Sequence, residues 1–406
     1  MKLFGSLILA SASCLLALGR PAAASEPFTV DCSRGEALAG SPALSFPSAT
    51  VYLKGTCAGP VTITASGLQL IARGAASING GGKDAVTVTG AQRVTLAGLK
   101  ITGGANGVVV QGGAHVTLTN DTVTGNAQAG IVVQSSSGVT VNGGSSTGNG
   151  FAGIDVEATS ALVVSGAYAV SGNGVFGLEV NNGSSLSLSA ANLAVGKNTL
   201  GIQLGTNASG FMDGGSRLDT SGNFTVGLTM VSGAHMVDFG GPITSSSNGL
   251  HGISLNSKAG LDLDAASQVH ADQNGGDGVH LEQGSVMTIF NNPQFSGAPG
   301  ATLLATTGNG GDGIDLLTGS RILVDNFAAL RSTSNQVGVA LDDGSALSFG
   351  QDVPVSGVTT SVTGNLVDLR LGFGSRLTYL ANDTFGVVRC DASVLVRGPG
   401  SLACPM

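Results

Sequence analysis

A repeat of about 24 residues runs through most of this 406-residue chain and constrains its fold more than any other feature. The marker of each repeat is a glycine followed by an aliphatic residue, and successive markers lie 23, 23, 24, 24, 26, 25, 26, 35 and 25 residues apart. The marker glycines are Gly107, Gly130, Gly153, Gly177, Gly201, Gly227, Gly252, Gly278, Gly313 and Gly338. A fixed period of about 20 to 50 residues is typical of a solenoid, in which each unit buries its apolar face against the next.

An asparagine stands four residues before most marker glycines. These are Asn126, Asn149, Asn173, Asn223, Asn248, Asn274 and Asn309, and Asn335 stands three residues before Gly338. The Gly201 repeat departs from the pattern, since Lys197 takes that position and Asn198 follows it. Asparagine suits a corner because it tolerates left-handed φ and hydrogen-bonds nearby backbone. In stacked turns we expect these side chains to bond to one another in a ladder.

The residues after each marker predict strands. In Gly130-Ile131-Val132-Val133 the apolar side chains follow a period of two, and no long stretch has a helical period. The sequence therefore predicts an all-β chain, a single right-handed parallel β-helix of about thirteen turns with disulfide-closed ends. The right-handed sense follows the general crossover preference. We expect an N-terminal cap over residues 25–60, the β-helix over 61–389 and a C-terminal disulfide cap over 390–406.

The N-terminal residues predict export. Residues 1–24 combine Lys2, an apolar stretch and the small-residue run Ala22-Ala23-Ala24, which is typical of a signal peptide. We expect a secreted protein, extracellular, cell-surface or periplasmic, that is not embedded in a membrane once the signal is removed. Of the three connectivities open to the remaining cysteines, Cys32–Cys57 with Cys390–Cys404 is the most economical, because the others would join distant ends of the solenoid.

The composition argues against some partners. Only 10% of residues are charged, the net charge is −8, and the 17 lysines and arginines are scattered singly. Phosphate backbones require clustered basic side chains, so no nucleic-acid partner is expected. There is no Trp and there are three Tyr, which removes the usual platforms for stacking on sugars.

Several repeats resemble a known family. The segments GNGFAGIDV (148–156), GNGVFGLEV (172–180) and NGGDGIDL (309–316) are similar to those of secreted right-handed parallel β-helix proteins of the pectin-lyase-like superfold. The resemblance covers roughly residues 60–390 and implies the fold. The superfold includes polysaccharide lyases, polygalacturonases, alginate epimerases, phage tailspikes and adhesins, so fold does not decide function. The catalytic sequence blocks of the polygalacturonases and epimerases are missing or incomplete here, and no enzyme subfamily is matched.

Two polar clusters are predicted on the outward face. The second and fourth residues after each marker point outward, and neighbouring turns lie about 4.8 Å apart. Asp155, Glu157 and Glu179 form a candidate binding cluster. A candidate catalytic cluster follows beside an insertion at 290–302, and its members are His280, Glu282 and Asp315. Paired carboxylates can share a proton and a histidine can serve as a general base, although a solvated sheet also requires polar outward residues.

No metal site or cofactor is predicted. Residues 310–318 fit the calcium-binding nonapeptide G-G-x-G-x-D-x-U-x, but such sites need tandem neighbours that this chain lacks. Weak Ca²⁺ binding at Asp312 and Asp315 is the single option left open.

Two functional hypotheses follow. The first is an exported, non-catalytic β-helix protein that is surface-associated, adhesive or polysaccharide-binding, with polysaccharide or cell-surface components as partners. The second is a divergent polysaccharide lyase or glycoside hydrolase that acts at His280, Glu282 and Asp315. The missing family blocks favour the first. Convergence of the three side chains in a groove walled by residues 290–302 would favour the second.

Overall fold

The computed structural model describes residues 27–291, 301–325, 327–350, 359–391, 393–399 and 402. The predicted signal peptide, Cys404 and most of the 290–302 insertion lie outside these residues. Within the described part the chain coils into one parallel β-helix, as the sequence predicts, and every strand pairs in parallel with the corresponding strand of the next turn. No helix among the described residues is long and apolar enough to cross a membrane.

One sheet receives a single strand from each turn. It is called the 14-stranded sheet below, and among the described residues its strands indicate about fourteen turns, one more than the sequence estimate. The strands are Val61–Ile63, Val86–Thr89, Val108–Gln111, Ile131–Val133, Ala152–Val156, Phe176–Val180, Leu200–Leu204, Leu228–Met230, Ile253–Leu255, Val279–Leu281, Ile314–Leu316, Val337–Leu341, Val367–Leu371 and Val388–Cys390.

The rest of each turn forms a 24-stranded sheet, to which a turn contributes either one long bent strand or two short ones. Its strands in the described residues are Phe28–Asp31, Thr50–Ala58, Gln69–Asn79, Val94–Ala97, Lys100–Thr102, His115–Thr124, Gly138–Thr147, Ala161–Ser171, Ser185–Gly196, Ser209–Asp213, Arg217–Asp219, His235–Phe239, Pro242–Thr244, Gly260–Asp264, Gln268–His270, Val286–Ile289, Thr302–Thr307, Arg321–Val324, Ala328–Thr333, Ala346–Phe349, Ser361–Val362, Arg376–Thr378, Thr384–Phe385 and Leu395–Arg397. The predicted N-terminal cap therefore supplies two strands to this sheet.

The core runs along the inside of the coil. Because side chains alternate across a strand, the residue after each marker glycine points inward and stacks on its equivalent in the next turn. This buried column is Val108, Ile131, Ile154, Leu178, Ile202, Leu228, Ile253, Val279, Ile314 and Val339. Removal of this apolar surface from water stabilises each turn against its neighbours.

A buried asparagine ladder holds one corner of the coil. In the step from Asn149 to Asn173, the Oδ1 of Asn173 accepts from the backbone N–H of Asn149 at 3.0 Å and from its Nδ2 at 3.1 Å. The same pair of bonds links Asn126, Asn149, Asn173, Asn198, Asn223, Asn248, Asn274, Asn309, Asn335 and Asn365. The predicted ladder is confirmed, and the departure at Lys197 disappears because Asn198 is the ladder residue.

The expectation that asparagine itself adopts left-handed φ at the corner is wrong. The residue before each ladder asparagine does so, for example Gly148 at φ 63° and Lys197 at φ 60°. The asparagine then keeps negative φ, which directs its amide into the coil. The markers Gly201 and Gly338 lie three residues after their asparagines, Asn198 and Asn335, and not four.

A disulfide fastens the N-terminal turn. The described residues include two 3-10 helices near this end, Cys32–Arg34 and Pro42–Ser45. Cys32 is bonded to Cys57 in the strand Thr50–Ala58, so the predicted pairing is confirmed. The other predicted pairing, Cys390–Cys404, stays a prediction because Cys404 lies outside the described residues.

Candidate functional site

The outward side of the 14-stranded sheet carries both predicted clusters. The second residue after each marker forms what is called the central column. It runs through Val109, Val132, Asp155, Glu179, Gln203, Thr229, Ser254, His280, Asp315, Ala340 and Arg370, and the strand register pairs each with the next. The structure thus reproduces the column that the period predicts, residue for residue, including the step from His280 to Asp315 across the insertion.

The first cluster, called the acidic patch, consists of Asp155, Glu157 and Glu179. Asp155 and Glu179 are register partners on adjacent turns. The carboxylate of Glu179 accepts hydrogen bonds from Asn181 at 3.1 Å and from Gln203 at 3.4 Å. Burial, followed by repulsion from Glu179 and Glu157, raises the pKa of Asp155 to about 7. Burial also raises the pKa of Glu179, with Asn181 opposing and Glu157 adding to the increase.

A depression of about 330 Å³ adjoins the acidic patch. Its lining is mostly polar and comes from successive turns, and the residues are Asp84, Thr87, Asn106, Val109, Gln111, Gln128, Ala129, Val132, Gln134, Phe151, Asp155 and Glu157. The Gln134 amide donates to Gln111 at 3.0 Å, and Gln111 donates to Thr89 at 3.3 Å. Phe151 is 38% exposed and contacts Phe176 edge to face, with ring centroids 5.5 Å apart. The depression therefore combines aligned hydrogen-bonding groups with an exposed aromatic ring.

The second cluster is larger than the sequence predicts. It is called the His–Asp cluster and comprises His251, Asp277, His280, Asp312, Asp315 and Arg370. His280, Asp315 and Arg370 belong to the central column. The other three residues each come immediately before a marker glycine, so they stack at the corner where the chain enters the 14-stranded sheet.

Its groups lie in direct contact. The Nδ1 of His280 is 3.2 Å from the Oδ2 of Asp277 and 3.2 Å from the Oδ2 of Asp315. The Nδ1 of His251 is also 3.2 Å from the Oδ2 of Asp277, and its ring stacks on that of His280 with centroids 4.6 Å apart. These four side chains are 12–18% exposed. The cluster is thus a compact, largely buried group of imidazoles and carboxylates.

Backbone groups orient the corner residues. The N–H of Asp277 donates to the Nδ1 of His251 at 3.1 Å, and the N–H of Asp312 donates to the Oδ1 of Asp277 at 2.8 Å. Each side chain at this corner therefore accepts from the backbone of the following turn. The same arrangement occurs near the acidic patch, where Asp84 accepts from the N–H of Asn106 at 3.1 Å.

The pKa values reflect competition between burial and pairing. Burial alone would lower the pKa of His280, but the contacts of its imidazole with the carboxylates of Asp277 and Asp315 outweigh burial and raise the pKa to about 10. Burial opposes ionisation of Asp277, yet the imidazoles of His251 and His280 against its carboxylate hold its pKa well below the usual range. Burial raises the pKa of Asp312 to about 6, although Arg370, whose guanidinium donates at 3.1 Å, opposes the increase.

The predicted catalytic trio is only partly brought together. His280 and Asp315 are in contact, whereas the carboxylate of Glu282 accepts from the amide of Asn256 on the preceding turn. The insertion expected to wall a groove lies mainly outside the described residues. His251, Asp277 and Arg370 were not among the predicted site residues. The sequence does contain a pattern that locates His251 and Asp277. In three successive repeats the position directly before the marker glycine is occupied by His251, Asp277 and Asp312.

Residues 51–224 match the family model for a right handed beta helix region. Over these residues the chain is similar to right-handed β-helix proteins. The same coil continues beyond the match to the strand Leu395–Arg397. The predicted resemblance is therefore confirmed at the level of the fold, and the match points to no characterised enzyme subfamily. No curated protein is significantly similar in sequence.

Solved structures with related coils are distant. The Dettilon tailspike protein gp208 is 13% identical with a TM-score of 0.30, and the match covers 84% of this chain and 62% of that one. ORF18 of Geobacillus virus E2 is 11% identical with a TM-score of 0.32, covering 77% and 56%. PfbA, a surface adhesin of Streptococcus pneumoniae, is 11% identical with a TM-score of 0.32, covering 74% and 82%. This chain spans less than two thirds of the tailspike and of ORF18.

Proposed function

We propose that the protein is exported and binds a polysaccharide along the outward face of the 14-stranded sheet, without turning it over. The observation that supports this most is the depression beside the acidic patch. Its volume of about 330 Å³ is comparable with that of a small-ligand site. Its lining residues come from successive turns of the coil, so a chain molecule can continue beyond it over neighbouring turns.

The chemistry of the depression suits sugars. Side chains repeat about every 4.8 Å along the coil, and Gln111 and Gln134 present planar amides that both donate and accept hydrogen bonds. Phe151 offers an apolar ring face at the edge of this polar floor. An exposed phenylalanine supplies the apolar contact that Trp or Tyr would otherwise provide to a sugar ring.

The charge of the site narrows the ligand class. Asp84, Asp155 and Glu157 line the depression, and no lysine or arginine is among its lining residues. A polyuronate would bring further carboxylates to this surface and be repelled. We therefore assign a neutral or amino-substituted polysaccharide as the ligand. The disulfide Cys32–Cys57 supports export, because such bonds persist in oxidising compartments.

The test is binding of purified protein to immobilised polysaccharides of three classes, neutral, amino-substituted and polyuronate. We expect retention on one of the first two and none on polyuronate. Phe151→Ala should weaken binding about tenfold, since an aromatic contact contributes roughly 1–1.5 kcal/mol. Phe211→Ala is the matched control, because Phe211 is 45% exposed on a strand of the 24-stranded sheet. Equal loss in both variants, or binding to polyuronate alone, would contradict the proposal.

The same samples report on catalysis. Release of unsaturated or reducing ends by the wild type, lost in His280→Gln or Asp315→Asn, would establish the second hypothesis, a divergent lyase or hydrolase. Binding that persists without product supports the non-catalytic function. His280 and Asp315 lie outside the depression, so the two sets of variants separate binding from turnover.

A further inference from the structure

The centre of the His–Asp cluster has the spacing of a metal-ligand set. One ring nitrogen from each of His251 and His280 and a carboxylate oxygen of Asp277 all lie within 4.8 Å of one another. Each imidazole nitrogen is 3.2 Å from the Oδ2 of Asp277. Ligands placed about 2.0 Å from a tetrahedral Zn²⁺ lie about 3.3 Å from each other. The observed contacts therefore match two edges of such a coordination polyhedron.

Hydrogen bonds alone account poorly for these contacts. A protonated Nδ1 of His280 carries one hydrogen, yet two carboxylate oxygens lie at the same 3.2 Å. Charge-assisted N–H···O bonds are usually about 2.7–2.9 Å long. The Nδ1 of His251 accepts the N–H of Asp277, so in that state it faces the Oδ2 of Asp277 lone pair to lone pair. A cation between these atoms removes both difficulties.

Asp315 supplies an independent sign of a ligand. This residue is only 9% exposed, and its Oδ1 has no hydrogen-bond partner among the described residues. Its Oδ2 contacts the Nδ1 of His280, so the carboxylate lies against the cluster. A buried carboxylate oxygen without a partner is costly. It is available to a bound metal or to a water molecule on that metal.

We propose that His251, Asp277 and His280 bind one divalent transition-metal ion, with Zn²⁺ as the representative. Two imidazoles with one carboxylate suit Zn²⁺ and similar ions, whereas Ca²⁺ and Mg²⁺ prefer sites made of oxygen atoms. The N–H of Asp312 already orients the Asp277 carboxylate at 2.8 Å, as partners of metal ligands do. When the metal binds, the Nδ1 of His251 coordinates it and no longer accepts the N–H of Asp277. This site is additional to the polysaccharide surface and departs from the sequence prediction of no metal.

The proposal is tested on the untagged, metal-stripped protein by calorimetric titration with ZnCl₂, and separately with CaCl₂. We expect one equivalent of Zn²⁺ to bind and Ca²⁺ to bind much more weakly. His280→Gln and Asp277→Asn should weaken Zn²⁺ binding by at least about 10- to 100-fold, the loss typical even of residues that only support a ligand. Titration with Co²⁺ should give the visible absorption of a low-symmetry site, which is lost in the same variants.

His235→Gln is the matched control. The Nε2 of His235 lies 3.1 Å from the Oδ2 of Asp262 on the 24-stranded sheet, and this imidazole is 50% exposed. This variant should bind Zn²⁺ as the wild type does. Circular dichroism shows that each variant is folded, and Asp315→Asn provides a second, milder substitution at the cluster. Zn²⁺ binding well below one equivalent, or an equal loss in His235→Gln, would overturn the proposal.

Discussion

The acidic patch and the His–Asp cluster lie along the same sheet, yet their electrostatics are opposite. In the patch, Asp155 lies between Val132 and Glu179 in the central column, and its pKa rises to about 7. In the cluster, Asp277 lies between two imidazoles, and its pKa falls. The difference comes from the neighbouring side chains. Glu179 and Glu157 bring only negative charge to Asp155, whereas His251 on the preceding turn and His280 three residues along the chain bring imidazoles to Asp277.

In a β-helix, the properties of an outward residue therefore depend on a neighbour about 24 positions away in the sequence. A carboxylate that would be ordinary on an isolated strand becomes a proton carrier or one half of an ion pair according to that neighbour. Substitution of a neighbouring side chain should therefore change the stability that each cluster contributes, and the following experiments measure that change.

The largest effect is expected from His280→Ala in the presence of a chelator. This change leaves Asp277 and Asp315 largely buried without the imidazole that contacts both. Removal of one partner from a buried ion pair typically costs about 3–5 kcal/mol, so the free energy of unfolding in urea at pH 7 should fall by about 3 kcal/mol. His235→Ala, at an exposed pair, should change it by less than about 1 kcal/mol. Equal effects would show that the cluster is no more strongly coupled than a surface pair.

Asp155→Asn should stabilise the folded protein, whereas His280→Ala should destabilise it. The pKa of Asp155 in the folded state, about 7, exceeds its unfolded value of 3.8, so the folded protein loses stability as the pH rises from about 4 to 7. In full this shift corresponds to about 4 kcal/mol, and solvent screening reduces it to about 1–2 kcal/mol. The variant should therefore be more stable than the wild type by that amount at pH 8 and equal to it at pH 3.5. A gain that does not depend on pH would refute repulsion and desolvation as the cause.

The central column could be predicted because length variation falls outside the strands. The interval from Gly278 to Gly313 is 35 residues long, but its extra residues lie between the strands Val286–Ile289 and Thr302–Thr307. The pairing of His280 with Asp315 is unaffected. A count from one marker glycine to the next therefore locates strand residues correctly, whatever the length of the corners.

The corner residues of the cluster could not be located in this way. His251 and Asp277 precede the marker, where the chain turns and the alternation of inward and outward side chains is interrupted. Their direction is set by backbone hydrogen bonds to the adjacent turn, which a period of two does not encode. Glu282 occupies the outward position that the period predicts, but the direction of its long side chain, which bonds to Asn256 on the preceding turn, is not encoded by that period either.

A smaller effect is expected from Arg370→Gln, which removes the guanidinium that bonds the Oδ2 of Asp312. Because the Arg370 side chain is 45% exposed, the loss of stability at pH 8 should be about 1 kcal/mol or less. Arg389→Gln is the control, since Arg389 is the next residue in the column and is exposed. Chemical denaturation of the two variants and the wild type measures the difference. Equal denaturation midpoints for Arg370→Gln and Arg389→Gln would show that the contact between Arg370 and Asp312 does not stabilise the cluster.

The smallest effect is expected when a histidine–carboxylate pair like that of the His–Asp cluster is introduced into the acidic patch. Asp155→His places an imidazole one turn from Glu179, as His280 stands one turn from Asp315. Below its ordinary pKa the new imidazole is charged and attracts the carboxylate, so at pH 5.5 this variant should exceed Asp155→Asn in stability by about 0.5 kcal/mol. At pH 8.5 the imidazole is neutral and the excess should vanish. Denaturation midpoints at the two pH values measure it. If no excess appears at pH 5.5, column register alone does not create a His–Asp pair, and the corner residues that enclose His280 are needed to bury it.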